Sequence, residues 1–218
     1  MARPTLDLVE VRVLGALVEK ALATPDNYPL TLNALVGACN QKTARDPVTH
    51  FTEREVSAAV ERLMRRGLVG TSSGAGHRVA KFRHNLDRAL DLSRREVATL
   101  AVLMLRGPQT PGEIRTRTGR TADFASVEDA EEALWLLGDR EEPLVVRLPR
   151  EAGQSADRYA HLLSGEVPEA EEVEHTLSVT PAPMSSAPPS DLAARVETLE
   201  DEVARLGAAL AAFREQFE

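Results

Sequence analysis

Apolar residues at Leu6, Val9, Val13, Leu14, Leu17, Val18 and Leu22 recur at the three-and-four spacing of an amphipathic helix, which predicts a first helix over 6–23. Pro25 and the Asp26-Asn27 pair stop it. A second, shorter helix is expected from Thr31 to Cys39, followed by a polar connection from Asn40 to Val48. Thr52-Glu53-Arg54-Glu55 reads as a capping box and opens a third helix to about Arg66, with Val56, Ala59, Val60, Leu63 and Met64 on its buried side. After Gly67 the period shortens. Leu68 to Thr71 and His77 to Arg83, placed around a glycine turn at Gly74-Ala75-Gly76, predict two strands of a hairpin. Three helices closed by a hairpin is the order of a winged helix-turn-helix, whose third helix enters the major groove.

The order then repeats. Leu90-Asp91-Leu92 echoes Leu6-Asp7-Leu8, and Ser93-Arg94-Arg95-Glu96 caps a helix containing Val97, Leu100, Ala101, Met104 and Leu105. Thr110-Pro111-Gly112-Glu113 starts a second helix with Pro at its first position, and Ser126 to Leu137 gives a third. Leu144 to Leu148 and Asp157 to Leu163 frame a second hairpin. Ser164 to Ser190 is rich in proline and glutamate and reads as a flexible linker. Beyond it, Leu192, Val196, Leu199, Val203, Leu206, Leu210, Phe213 and Phe217 alternate steps of four and three, a heptad seam that suits a dimeric coiled coil. The expected fold class is mainly α with small β-hairpins (α+β). It comprises winged-helix domains over 1–88 and 89–164, a linker over 165–190 and a coiled-coil helix over 191–218.

Composition agrees with this reading. Hydrophobic residues make up 43% and charged residues 28% of the chain, while aromatics are only 4%, so the cores must be built from Leu, Val and Ala, which favours helices. A single cysteine, Cys39, leaves no internal disulfide and fits a reducing compartment. No apolar run approaches the length of a membrane span, and the expected location is cytoplasmic. The net charge of −8 conceals a gradient: residues 1–92 carry 13 Lys and Arg against 10 Asp and Glu, whereas residues 166–218 carry 3 against 12. A basic first domain can therefore face nucleic acid within an acidic protein. Only three of the 26 basic residues are lysine, so position rather than arginine count must carry any argument about phosphates.

Three motifs carry a family resemblance. They are Asn40-Gln41-Lys42-Thr43-Ala44-Arg45-Asp46-Pro47-Val48, then Pro111-Gly112-Glu113-Ile114-Arg115-Thr116-Arg117-Thr118, and then Leu148-Pro149-Arg150-Glu151-Ala152-Gly153-Gln154 with Arg158-Tyr159-Ala160-His161-Leu162-Leu163. Over about residues 5–164 the chain resembles the YceH family of uncharacterised bacterial proteins. The resemblance implies two winged-helix domains and supplies no biochemical activity. The usual Asn-Gln-Lys-Ser-Asn-Arg signature of that family here ends Thr43-Ala44-Arg45.

The candidate site is a nucleic-acid face on the first domain. Arg54 and Ser57, early on the third helix, would meet base edges. Arg62 and Arg65, later on the helix, and Arg78, Lys81 and Arg83 on the hairpin would meet phosphates, with Lys42 and Arg45 adding contacts from the preceding loop. The corresponding helix of the second domain begins with four carboxylates, Glu128, Asp129, Glu131 and Glu132, which repel phosphate and suit a protein partner, with Trp135 either in the core or at that contact. His50, His77, His84, His161 and His175 lack short metal-ligand spacing, and no phosphate-cradling glycine loop is present. No catalytic site, metal or cofactor is expected. The expected activity is duplex-DNA binding by a homodimeric regulator, and the alternative is a tandem winged-helix scaffold for proteins without a direct DNA role.

Overall fold

Among the described residues, five of the seven helices open with a reciprocal capping box, so the sequence sets their start points locally. The pairs are Asp7/Glu10, Thr52/Glu55, Ser93/Glu96, Thr110/Glu113 and Ser126/Asp129, in which the cap side chain accepts from the N3 amide while the N3 carboxylate accepts from the cap amide. The computed structural model describes residues 3–72, 79–119, 121–150 and 156–165. Within them the chain is mainly helical with two small antiparallel sheets. Arg78, residues 166–190 of the linker and the eight heptad positions Leu192, Val196, Leu199, Val203, Leu206, Leu210, Phe213 and Phe217 lie outside the described residues.

The first half runs α1 (Leu8–Ala23), a 3-10 turn (Pro25–Asn27), β1 (Leu30–Thr31), α2 (Leu32–Cys39), α3 (Glu53–Arg65), β2 (Val69–Ser72) and β3 (Lys81–His84). Its sheet has the order β1-β3-β2, with Leu30 opposite Phe82 and Val69 opposite His84. After a short α4 (Leu86–Leu90), the second half runs α5 (Arg94–Arg106), α6 (Pro111–Thr118), α7 (Val127–Gly138), β4 (Val145–Arg147) and β5 (Tyr159–His161). Here the first strand shrinks to a single bridge: Gln109 and Tyr159 exchange backbone hydrogen bonds of 3.0 and 2.8 Å. That bridge, β5 and β4 repeat the arrangement of β1, β3 and β2. Strand β1, two residues long, and α4, whose start lacks a side-chain cap bond, are elements that the periodicity did not predict.

The halves share one core. Leu14, Leu17, Leu35, Leu63 and Leu68 from the first and Leu100, Leu103, Ile114, Leu134 and Leu137 from the second belong to one buried cluster. Helices α1 and α5 meet so closely that a Cβ on Gly15 would stand 3.0 Å from Leu105 and 3.1 Å from Met104, which explains the absence of a side chain there. Backbone bonds reinforce the contact, Leu6 N donating to Leu163 O at 2.6 Å and Asp46 N to Leu105 O at 2.8 Å. The boundary expected at 88/89 falls inside α4, and all described residues belong to one unit, Met1–Ala170. Met64, expected in the core, lies 37% exposed at the end of α3.

Candidate nucleic-acid interface

Two buried guanidinium groups hold the signature loop between α2 and α3. Arg12 donates from α1 to the carbonyls of Cys39, at 3.4 Å, and Pro47, at 2.8 Å. Arg45 donates twice to the carbonyl of Ala38, at 3.1 and 2.8 Å, and grips both oxygens of Glu19 at 3.1 and 2.7 Å. The Ala38 and Cys39 carbonyls belong to the last turn of α2, where unpaired C=O groups carry partial negative charge that a cation stabilises. Burial is the largest influence on Arg12 and lowers its pKa, with the nearby Arg45 charge acting in the same direction. Asn40 finishes the loop: its Nδ2 donates to Phe51 O at 2.7 Å and its Oδ1 accepts from Phe51 N at 2.8 Å. Most of the Asn40–Val48 signature thus fixes how the chain enters α3.

Arg45 therefore leaves the set of expected DNA contacts. Its side chain is fully enclosed and each guanidinium nitrogen is committed to a protein oxygen. Arg62 also leaves it, because it turns back toward α1, where it donates to Asp7 at 2.6 Å and to the buried Glu10 at 3.1 Å. Both misassignments have one cause. A solvated arginine and an arginine bound to a carboxylate tens of residues away look alike in sequence.

The remaining described residues keep at least partial exposure. Lys42 in the loop and Arg54 and Arg65 on α3 are exposed, Ser57 is half-buried beside them, and no side-chain bond to another described residue holds the three cations. Glu53, Glu55 and Glu61 are exposed on the same helix and balance its three arginines, so α3 itself carries no net charge. Lys81 and Arg83 are half-buried on β3, one on either side of Phe82, and Arg83 Nη1 donates to Asn85 Oδ1 at 3.0 Å. Cations are thus distributed over loop, helix and strand.

Among the described residues of this region, the buried cysteine and tyrosine are not activated as nucleophiles. Burial pushes the Cys39 thiol up to about 12, against the opposing pull of Arg45 and Arg12, so it stays protonated and inert. Tyr28 is likewise raised to about 12 by burial, and its hydroxyl accepts from His84 N at 2.6 Å. Among the described residues no helix is long and apolar enough to cross a membrane.

Known proteins resemble the chain along nearly its whole length. A family model described as "Protein of unknown function, DUF480" matches residues 6–154. A UPF0502 protein of Pectobacterium atrosepticum is 48% identical over 212 residues, covering 95% of this chain and 97% of the relative. One from Opitutus terrae is 48% identical over 204 residues, covering 93% and 84%, and one from Chromobacterium violaceum is 45% identical over 211 residues, covering 97% and 91%. The chain shown by its three motifs to resemble the YceH proteins therefore belongs to the DUF480 family of bacterial UPF0502 proteins.

Proposed function

We propose that each half is a winged helix and that the protein binds duplex DNA through the first, as a regulator of transcription. The observation that supports this most directly is the exposed set Lys42, Arg54 and Arg65 on α3 and on the loop that leads into it. In a helix-turn-helix that helix is the one that enters the major groove. Arg54 and Ser57, in its first two turns, would meet base edges, while Arg65, Lys42, Lys81 and Arg83 would meet phosphates.

The test is the salt dependence of duplex binding by the full chain. Replacing Lys42 and Arg65 with Ala removes two phosphate neutralisations, so the slope of log affinity against log salt is expected to flatten by about 0.9 for each. Arg62→Ala, which breaks an internal ion pair, is expected to lower stability and leave that slope unchanged. Equal flattening by both sets, or no binding at low salt, overturns the reading.

Self-association is proposed from the sequence pattern of residues 192–217. Eight apolar positions without a polar interruption, with Val196, Val203, Leu210 and Phe217 at a and Leu192, Leu199, Leu206 and Phe213 at d, suit a two-stranded parallel coil. The full chain is expected to sediment at twice its 23.7 kDa monomer mass, and a chain ending at Ser164 at its own monomer mass; a full chain that sediments at 23.7 kDa refutes the assignment.

A further inference from the structure

Aligning α3 and α7 on their N-caps, Thr52 and Ser126, superimposes their buried positions one for one. Val56, Ala59, Val60 and Leu63 correspond to Ala130, Ala133, Leu134 and Leu137, and all eight are buried. The outward positions correspond equally well but carry the opposite chemistry. Arg54 becomes Glu128, Ser57 and Ala58 become Glu131 and Glu132, Glu61 becomes Trp135, Arg62 becomes Leu136, and Arg65 becomes Asp139. The same helix in the same fold has exchanged a mixed-charge face for an acidic and aromatic one.

From this we infer that the outward face of α7 is the docking surface for a Lys/Arg-rich segment of a partner protein that carries an apolar anchor. Successive residues on a helix are 100° apart, so Glu128, Glu131, Glu132, Trp135 and Asp139 fall on a single stripe less than half the circumference wide, with Leu136 at its edge. Trp135 is 62% exposed and Leu136 41%. A lone exposed leucine is ordinary, but an exposed tryptophan beside it makes an apolar patch of the kind that marks recognition surfaces. Carboxylates one turn away on both sides surround the indole, whose π-face also attracts cations. A duplex is repelled by that stripe, and a neutral apolar partner would leave its carboxylates desolvated without counter-charges. A segment carrying guanidinium or ammonium groups around one apolar side chain satisfies both features.

In the first half the Arg62 position is occupied by an internal bond to Glu10, the buried capping carboxylate of α1. The equivalent carboxylate of α5, Glu96, is instead met from beyond α7 by Arg140 at 3.6 Å. That replacement leaves the Leu136 position with no structural duty toward α5, so the α7 face is available for binding. The inference does not rest on DNA binding by the first half.

Trp135 is the sole tryptophan of the chain, so its emission reports on this face alone. The probe is a 14-residue synthetic amphipathic peptide of Arg, Lys and Leu, titrated into the full chain. One control peptide has Ser in place of Leu, and another has Glu in place of the basic residues. The amphipathic basic peptide is expected to shift Trp135 emission to the blue and to bind at least about tenfold more tightly than either control. By calorimetry, Trp135→Ala and the pair Glu131→Lys/Glu132→Lys should each weaken binding by about tenfold, with circular dichroism unchanged because all three positions are exposed.

The acidic segment 166–218 is identical in every variant. Binding that survives both substitutions therefore belongs to that segment and overturns the inference, as does the absence of binding. A blue shift that grows with protein concentration alone would assign the face to a second copy of this chain and overturn it too. No duplex is present in the measurement, so its failure leaves the DNA reading standing, and the converse holds for the salt titration.

Discussion

Arg45→Ala is expected to destabilise the protein by about 3 to 5 kcal/mol, the range for removing one partner of a buried ion pair. The guanidinium is fully enclosed, donates to both oxygens of Glu19, and satisfies the Ala38 carbonyl at the end of α2. Truncation strands two groups together: a carboxylate only 19% exposed and an unpaired helix carbonyl. Arg45→Lys is expected to recover only part of the loss, because one ammonium cannot supply a fork to Glu19 and a bond to Ala38 at once. Glu19→Ala alone should cost less than Arg45→Ala, since the arginine retains its carbonyl partners. The double variant should fall short of the sum, which isolates the pair's coupling. Urea unfolding at pH 7.5 measures each variant. A cost below about 1 kcal/mol for Arg45→Ala, with weakened duplex binding, would return Arg45 to the DNA-facing set.

The local elements were the most legible part of the sequence. Each predicted helix starts within two residues of its expected position, because cap and N3 residues such as Thr52 and Glu55 announce a helix start within four positions. Strand β1 was not legible, because two residues have no period; its existence depends on Phe82, more than fifty residues later. The duplication could be read from Leu90-Asp91-Leu92 echoing Leu6-Asp7-Leu8 and from the repeated order of helices and hairpin, but the packing of α1 on α5 into one core could not. It depends on the absence of a side chain at Gly15, which acquires meaning only when Leu105 lies against it.

The candidate site divides along the same line. Exposure of Arg54, Arg65 and Lys42 follows from helical phase and a polar loop, both local properties. The fates of Arg45 and Arg62 are set by Glu19, Asp7 and Glu10, which lie 26 to 55 residues away. The reading of α7 as acidic was sound for the same local reason, whereas the choice between core and surface for Trp135 needed the fold to turn it outward.

The second large effect is expected in acid. His161, on β5 opposite Val145, has its Nδ1 sealed from solvent without a hydrogen-bond partner, and burial lowers its pKa from the ordinary 6.5 to about 4. Protonation is thus resisted in the folded state and unopposed in the unfolded one. Between pH 6.5 and 4 the unfolded chain binds more protons, so stability falls as the pH falls. The loss attributable to this ring is about 2 kcal/mol by pH 5 and about 3 kcal/mol by pH 4.

His84 occupies the equivalent place in the first hairpin, opposite Val69. Burial lowers its pKa as well, but Asp87 at 3.6 Å opposes the change, so His161 is expected to dominate. The difference in unfolding free energy between His161→Gln and the wild type, followed by urea titration from pH 7.5 to pH 5, cancels every carboxylate that the two proteins share. That difference is expected to move by about 2 kcal/mol in favour of the variant over this interval. A difference that stays flat, together with a His161 ring resonance titrating near 6.5, would mean that the imidazole is hydrated and that the acid sensitivity of the fold arises elsewhere.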